Sequence, residues 1–390
     1  MISETACAAG MYFFKQSLFQ PSTECAEKLK TAAEIAIRDV LKIHSGEHVL
    51  IITNPECVVA QISAALYDAA LAAGGNPVVL FQPPKSQIDF AEKSVIAAFS
   101  AKPAAVISIS AGKLGKDEHG IAAPYSCNGK TYDHIFHAHL YGEKSCRSFW
   151  SPSITLDSFI RTVPIDYRLL QNRCKIISEI LDEAESVQIT AAGGTNIEIG
   201  LRGRRAMRDD GDFSAPGSGG NLPAGEVFIS PENGTARGII VFDGSISLEN
   251  KDIIINKPIF CRILDGFITE IDGGDEASAL KDTIEFAERN AFEFECLAKL
   301  PCGNGGIYAK NAKNIGELGI GLNPEALITG NMLEDEKSFH TCHFAIGENY
   351  DGDAPALIHL DGLVRNPTII ARLPNGEERL IEEKGALVIA

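Results

Sequence analysis

The sequence predicts an α/β protein with two domains: an N-terminal parallel-sheet α/β domain, residues 1–185, and a β-rich α+β domain, residues 186–390. Three observations lead to this prediction. Apolar strands alternate with helices in the first half, alternating half-buried strands and hairpin turns fill the second, and the length of 390 residues suits two or three domains of ~150 residues each.

The first half repeats a strand–helix unit. Its helices show apolar residues at helical spacing, and its strands are short apolar runs ended by turn residues. This alternation is typical of a parallel sheet covered on both faces. The helices are predicted at residues 26–41, 58–73, 88–99 and 165–184, and the strands at 48–53, 78–81 and 104–109.

The first strand–helix turn bears on nucleotide binding. The turn, Asn54-Pro55-Glu56-Cys57, contains no glycine, so it lacks the backbone cradle that a diphosphate requires. We therefore expect a plain α/β scaffold without a nucleotide site.

The second half has the pattern of antiparallel strands. Residues 187–190 and 196–200 alternate apolar and polar side chains, and further strands are predicted at 227–229 and 238–242. Asp265-Gly266 and Asn375-Gly376 are hairpin signals. We expect residues 209–225 to form a loop, and helices to lie between about 276 and 300.

Composition excludes several partners. With 35 Lys and Arg against 52 Asp and Glu, the net charge of −17 argues against nucleic acid or an anionic membrane. No apolar run approaches the ~20 residues that span a bilayer, and residues 1–20 do not resemble a signal peptide. Ten cysteines without a CxxC pair fit a reducing cytoplasm, which is the expected location.

One compact histidine cluster lies in the first half. His134, His137 and His139 form an HxxHxH pattern that could bind Zn or Ni. No carboxylate or cysteine accompanies it at an obvious spacing, so a polar surface segment is an equally open interpretation.

Metal-ligand residue types recur on predicted strands of the second half. His359 and Asp361 are two residues apart on a strand and would face the same side. His343 lies on another strand, Glu317 is the sole charge in a Gly-rich apolar run, and Glu226 starts a strand after a long loop. Two Glu, two His and one Asp suffice for two divalent ions. The alternative is a set of hydrogen-bonded polar residues at strand ends.

The runs ELGIGLNP, TGNMLEDEK, HFAIG and HLDG resemble the thermophilic metallo-aminopeptidases of the aminopeptidase T and S group, as does NLPAGEVF before them. The resemblance covers roughly residues 186–372. It implies two metal ions, either Zn, Co or Mn, a homodimer, and peptide substrates. The metal ligands it implies are Glu226, Glu317, His343, His359 and Asp361, with Tyr350 nearby.

The chain departs from that pattern in two places. An insertion is expected around residues 280–312, and the stretch before His343 is extended, so His340 could compete with His343 as a ligand. The Phe-Ala-Ile-Gly that follows His343 favours His343.

The same scaffold resembles the 2,5-dihydroxypyridine ring-opening dioxygenases, which hold one Fe(II) in a triad of two His and one carboxylate. In this chain Glu317 stands where those enzymes have a His at the start of the Gly-rich strand. His343, His359 and Asp361 could nevertheless form a triad.

The sequence therefore leads us to expect a cytoplasmic metallo-aminopeptidase, a hydrolase whose two metal ions share a hydroxide. Tyr350 would donate to the oxyanion, and Glu317 would carry the proton to the leaving amine. A dioxygenase is the first alternative, and a non-catalytic scaffold with a degenerate metal site is the second.

Overall fold

The computed structural model describes residues 23–86, 89–249, 251–297 and 299–388. The chain forms two compact units. The first contains the described residues up to Tyr167 together with Gly211–Ala224, and the second contains Arg168–Asp210 and Gly225 onwards. The segment 1–20, which we expected not to be a signal peptide, lies outside the described residues.

The first unit is built on a parallel five-stranded sheet with the strand order β10-β6-β3-β1-β2. Its core forms where Leu50, Ile52 and Val106 on the strands meet Val95 and Phe99 on a helix. The strands are β1 His48–Thr53, β2 Asn76–Phe81, β3 Ala105–Ser110, β6 Arg147–Pro152 and β10 Gly219–Asn221, and a hairpin is formed by β4 Tyr125–Cys127 and β5 Lys130–Tyr132. The helices are α1 Thr23–Ile35, α2 Cys57–Ala72, α3 Lys93–Phe99, α4 Glu118–Ala122, α5 Ile135–His137 and α6 Leu156–Thr162.

The second unit contains two large sheets. The seven-stranded sheet has the order β14-β13-β19-β18-β17-β11-β9, and the eight-stranded sheet has the order β16-β15-β12-β8-β7-β20-β21-β22. The strands are β7 Ser186–Thr190, β8 Asn196–Gly200, β9 Met207–Asp209, β11 Glu226–Ile229, β12 Arg237–Phe242, β13 Ser245–Ser247, β14 Asp252–Ile254, β15 Ile259–Leu264, β16 Phe267–Asp272, β17 Ile315–Gly321, β18 Thr341–Gly347, β19 His359–Arg365, β20 Thr368–Arg372, β21 Glu378–Glu383 and β22 Ala386–Leu387. The helices are α7 Tyr167–Glu183, α8 Asp275–Cys296, α9 Gly305–Asn311 and α10 Met332–Asp335.

The predicted fold class is confirmed: a parallel-sheet α/β unit is joined in sequence to a β-rich one. The hairpin at Asp265-Gly266 joins β15 to β16, and both turn residues have the positive φ that such a tight turn requires. The hairpin at Asn375-Gly376 joins β20 to β21.

Some predicted bounds are wrong. The expected helix 26–41 is α-helical only over Thr23–Ile35 and continues as a π-helix over Ala36–Val40. Residues 209–225 are not all loop, because Gly219–Asn221 pairs with β6 as a parallel strand. The helix expected at 88–99 begins at Lys93, and residue 88 lies outside the described residues.

Hydrophobicity along the helices bears on membrane insertion. Within the described ranges, no helix combines the length and apolar character needed to cross a bilayer. The longest, α8, has Asp or Glu at many positions.

Candidate metal centre

Four adjacent strands of the seven-stranded sheet bring the candidate ligands together. In the order β19-β18-β17-β11, they carry His359 and Asp361, then His343, then Glu317, then Glu226. The register places Ala345 of β18 between Glu317 and Asp361 on the two flanking strands. Because side chains on one face recur every two residues, these groups project from the same face of the sheet.

Small residues on that face leave room for the ligands. Gly319 lies directly opposite His343 on the neighbouring strand. A Cβ atom at Gly319 would stand 2.0 Å from Nε2 of His343, so no other residue can occupy the position while the ring stays where it is. The Gly-rich run around Glu317 therefore serves to accommodate the imidazole.

Glu317 connects the two histidines. Its Oε1 lies 3.1 Å from Nε2 of His343, and its Oε2 lies 3.7 Å from Nε2 of His359. Nε2 of His343 is also 3.5 Å from Oε2 of Glu226, and Nε2 of His359 is 3.4 Å from Oδ1 of Asp361.

Three overlapping groups in the described residues have donor atoms close enough to share an ion. His343 belongs to two of them and His359 to the third. The groups are Glu226 with Glu317 and His343, Glu317 with His359 and Asp361, and Glu336 with His343 and Asp361. The structure thus brings all five predicted ligands into one cluster and adds Glu336.

Several donor atoms of this cluster have no hydrogen-bond partner within the described part of the chain. They are Oε2 of Glu226, Oε2 of Glu317, Oδ1 of Asp361 and Nδ1 of His343. Buried polar atoms normally find partners, since an unpaired one costs about 1–3 kcal/mol. Carboxylate and imidazole donors that converge without partners fit a divalent cation.

A hydrogen bond to the backbone at Nδ1 fixes the orientation of the His359 ring. Its Nδ1 lies 2.8 Å from the backbone oxygen of Glu348, which can only accept a hydrogen bond. Nδ1 therefore carries the proton, and Nε2 is directed toward Glu317 and Asp361. Such a partner behind a ligand histidine fixes both its tautomer and its ring orientation.

The electrostatics of the cluster favour positive charge. Burial by itself lowers the pKa of His343, but the hydrogen bond to Glu317 and the charges of Glu226 and Glu317 raise it to about 9. Burial also lowers the pKa of His359, but the charge and hydrogen bond of Asp361 and the charge of Glu317 together raise it to about 10. Burial alone would raise the pKa of Asp361, but the charge and hydrogen bond of His359, together with the charges of His343 and Lys337, lower it to about 2. Without another cation, the imidazoles hold protons that a metal ion would displace.

Sequence reasoning missed three charged residues beside the ligands. Lys337 is fully buried, and its Nζ binds Glu226 and lies 2.6 Å from Oε1 of Glu336 and 3.4 Å from Oδ2 of Asp209. Burial raises the pKa of Asp209 to about 7 and that of Glu336 to about 8, although Lys337 opposes both shifts.

The four charged residues from Glu334 to Lys337 have two different roles. Glu334 and Asp335 accept hydrogen bonds from the backbone of the preceding loop at Leu327, Thr329 and Gly330. Glu336 and Lys337 instead reach the ligand cluster. The sequence shows four consecutive charged residues here, between apolar strands. Such a run is more commonly a solvated surface, so it does not identify these residues as part of a metal centre.

Tyr350 lies in the loop before β19. Its ring packs on Phe228 and His359, with ring centroids 5.3 and 5.0 Å away. About 60% of the residue is exposed, yet desolvation and the charges of Glu317 and Asp361 raise the pKa of its hydroxyl well above the usual value. The hydroxyl therefore stays protonated and can donate a hydrogen bond.

The other candidate histidines lie outside the three groups. Nδ1 of His340 is bonded to the backbone oxygen of Gly385. In the first unit, His134 accepts a hydrogen bond from the backbone N–H of Phe136, and His139 lies 3.1 Å from Glu143. The structure thus uses His134 as a helix cap and pairs His139 with a carboxylate.

A family model described as NicX, 2,5-dihydroxypyridine 5,6-dioxygenase, matches residues 156–346 of this chain. The 2,5-dihydroxypyridine 5,6-dioxygenase of Pseudomonas putida is 27% identical over 199 residues. That match covers 48% of this chain and 51% of the relative, so only about half of each protein is aligned.

Two solved structures resemble the whole chain. The structure of 2,5-dihydroxypyridine dioxygenase from Pseudomonas putida KT2440 has a TM-score of 0.67 at 18% identity, covering 94% of this chain and 98% of its own. Wild-type AmpT from Thermus thermophilus has a TM-score of 0.63 at 14% identity, covering 93% and 99%. At these identities the two likenesses show the fold alone.

The comparisons correct the functional prediction. The family model and the curated relative are both described as dioxygenases, so the expected metallo-aminopeptidase, with its hydrolase and protease classes, is wrong. The resemblance to the aminopeptidase T group is confirmed for the fold only. A divalent metal fits the residues present.

Proposed function

We propose that this protein is a metal-dependent dioxygenase that opens the ring of a dihydroxylated pyridine of the 2,5-dihydroxypyridine kind. The observation that carries the proposal is the buried cluster in which His359, Asp361 and Glu317 converge with unpartnered oxygens. The match to the dioxygenase model over residues 156–346 supports the reaction class, and that range includes Glu226, Glu317 and His343.

Fe(II) is the ion we propose for this centre. Glu317, His359 and Asp361 would hold it, because they form one of the three groups and lie on neighbouring strands. His343 and Glu226 would complete the set of ligands, because they form a second group with Glu317, whose Oε1 lies 3.1 Å from Nε2 of His343. Bound Fe(II) supplies the one-electron chemistry that lets O2 react with an aromatic ring.

Protein groups around the ion have roles of their own. Glu348 holds His359 in one tautomer through its backbone oxygen, which keeps Nε2 aimed at the centre. The hydroxyl of Tyr350 keeps its proton, so it can donate a hydrogen bond to a hydroxyl oxygen of the substrate. Its ring, packed on Phe228, forms an aromatic wall against which a flat heterocycle can stack.

The reaction balances without a further reductant. One substrate and one O2 give one ring-opened product, because both oxygen atoms are added across the carbon–carbon bond that breaks. A proton leaves a ring hydroxyl as electron density moves toward O2, and the carboxylate-rich cluster can accept it.

The number of ions distinguishes this proposal from the expectation based on sequence. That expectation of two ions, either Zn, Co or Mn, stays a prediction, whereas the dioxygenase proposal requires one iron per chain. The expected homodimer and the expected absence of nucleic-acid and membrane partners also stay predictions.

Oxygen uptake tests the proposal. Protein reconstituted anaerobically with Fe(II) should consume O2 and 2,5-dihydroxypyridine in equal amounts, followed with an oxygen electrode and by loss of the substrate's absorbance. Zn-loaded protein is the matched control, since zinc has no redox chemistry, and it should consume none. Fully iron-loaded protein that consumes no O2 with any dihydroxypyridine would contradict the proposal.

A further inference from the structure

Lys337 is a lysine with no exposed surface, placed two residues after the end of α10. Its backbone is fixed on both sides: its N–H donates to the oxygen of Glu334, and its own oxygen accepts from the N–H of Asn323. The side chain therefore extends from a rigid position. Burying an ammonium group costs several kcal/mol unless it is paired, so the partners of Lys337 indicate why it is there.

Those partners are three carboxylates. Nζ binds Oε1 of Glu226, lies 2.6 Å from Oε1 of Glu336, and is 3.4 Å from Oδ2 of Asp209. An ammonium group has three donors and no acceptor, which matches three carboxylates around it. Asp209 and Glu226 lie directly opposite each other on β9 and β11, so Lys337 also spans two neighbouring strands.

Lys337 binds only one of the two oxygens of the Glu226 carboxylate. Oε1 is bound to Lys337, whereas Oε2 has no hydrogen-bond partner among the described residues and lies 3.5 Å from Nε2 of His343. Glu226 and His343 both belong to a group that can share an ion with Glu317.

We propose that Lys337 is a positioning residue of the metal centre, which occupies one oxygen of Glu226 so that this carboxylate offers the ion only the other. Glu226 would thus be a ligand through Oε2 alone. Without the ammonium, Oε1 is free to turn toward the ion, and the coordination number can rise. The inference rests on the proposed metal centre but not on the proposed reaction.

The visible absorption spectrum of Co(II) bound to the intact chain, with no aromatic substrate present, tests how Glu226 binds the ion. The visible ligand-field bands of Co(II) weaken as the coordination number rises, because higher-coordinate geometries are closer to centrosymmetric. Lys337→Met should weaken the bands, and it should lower Co(II) affinity by roughly 10–100-fold because Glu226 loses its orienting partner.

A second variant separates orientation from charge and from misfolding. Lys337→Met/Asp209→Asn removes one cation and one anion, so the net charge of the cluster is unchanged while Glu226 and Glu336 still lose their ammonium partner. The spectral change should persist in this variant. Lys313→Met is the matched control, since Lys313 makes a surface ion pair with Glu288 at 2.8 Å and should leave the spectrum unchanged.

The outcomes are distinct. Folded variants with the wild-type spectrum would overturn the proposal and leave Lys337 a purely structural residue. A crystal structure of Co(II)-loaded wild-type protein decides even if both variants fail to fold. Glu226 Oε1 on Lys337 and Oε2 on the ion would support the proposal, and a Glu226 bound to the ion through both oxygens would overturn it. Wild-type protein that binds no Co(II) would overturn both this proposal and the metal centre itself.

Discussion

Two histidine-containing regions of this chain differ in how their residues come together. In the first unit, His134, His137 and His139 lie within six residues, yet the structure uses them locally as a helix cap, a ring contact and a carboxylate contact. In the second unit, candidate ligands from four strands, as far apart in sequence as Glu226 and Asp361, converge on one face.

This difference shows that sheet register, rather than nearness in sequence, builds the candidate centre. A helical turn directs side chains at neighbouring positions to different sides, whereas adjacent strands place paired residues about 5 Å apart. Glu317 and Asp361 are both opposite Ala345 although 44 positions separate them along the chain.

The largest effect is expected for removal of a ligand from the second region. His359→Ala deletes the donor between Glu317 and Asp361, so metal affinity should fall by at least about 10–100-fold. His137→Ala is the matched control in the first region and should leave metal content unchanged. Elemental analysis after dialysis checks both variants. Loss of metal from the His137 variant alone would reverse the assignment.

Tyr350→Phe should separate chemistry from metal binding. The ring contacts with Phe228 and His359 are retained, so metal content and stability should be unchanged. Turnover should fall by roughly 10²–10³-fold if the hydroxyl stabilises charge that develops in the transition state. Steady-state kinetics beside metal analysis checks this. If the variant loses its metal, Tyr350 is a structural or ligating residue instead.

Gly319→Ala tests the packing that shapes the centre. The new methyl group would stand 2.0 Å from Nε2 of His343, so the ring must move and affinity for the ion should fall, by about tenfold or more. Gly306→Ala, in α9 with open space around it, is the control and should be neutral or stabilising by up to about 1 kcal/mol. Metal titration of both variants provides the comparison, and equal affinities would refute the steric argument.

Glu382 shows that burial of a carboxylate does not by itself make a metal site. It is fully buried on β21, neither oxygen has a partner among the described residues, and it lies outside the three metal-capable groups. Burial raises its pKa to about 8, so the folded state holds the proton more tightly than the unfolded state. Its contribution to stability is therefore full below pH ~4.5 and is lost as the pH rises through about 8.

Glu382→Gln removes this dependence. The variant should be more stable than wild type at pH 8, by on the order of 4 kcal/mol, and similar to it near pH 4. Denaturant unfolding at both pH values measures the difference. The exposed neighbour Glu383→Gln is the control and should change neither value. If stability depends on pH in the Glu382 variant as it does in wild type, this carboxyl group is not the source of the pH dependence.

The sequence predicted the fold class because strand and helix periodicities differ and because each hairpin carries its own turn residues, such as Asp265-Gly266. It also indicated His359 and Asp361, since residues two apart on a strand share a face. Lys337 and Asp209 could not be found in this way, because their burial depends on contacts between β9, β11 and the end of α10. The reaction class was mispredicted because one ligand set suits both hydrolysis and oxygen chemistry.

If this protein is the proposed dioxygenase, O2 is a substrate, and the two oxygen atoms of O2 end in the product. Iron-loaded protein should be given 2,5-dihydroxypyridine under ¹⁸O2 and the product analysed by mass spectrometry. A ring-opened product that carries two ¹⁸O atoms from the same O2 molecule is expected. A product that carries oxygen from water alone would contradict the proposal.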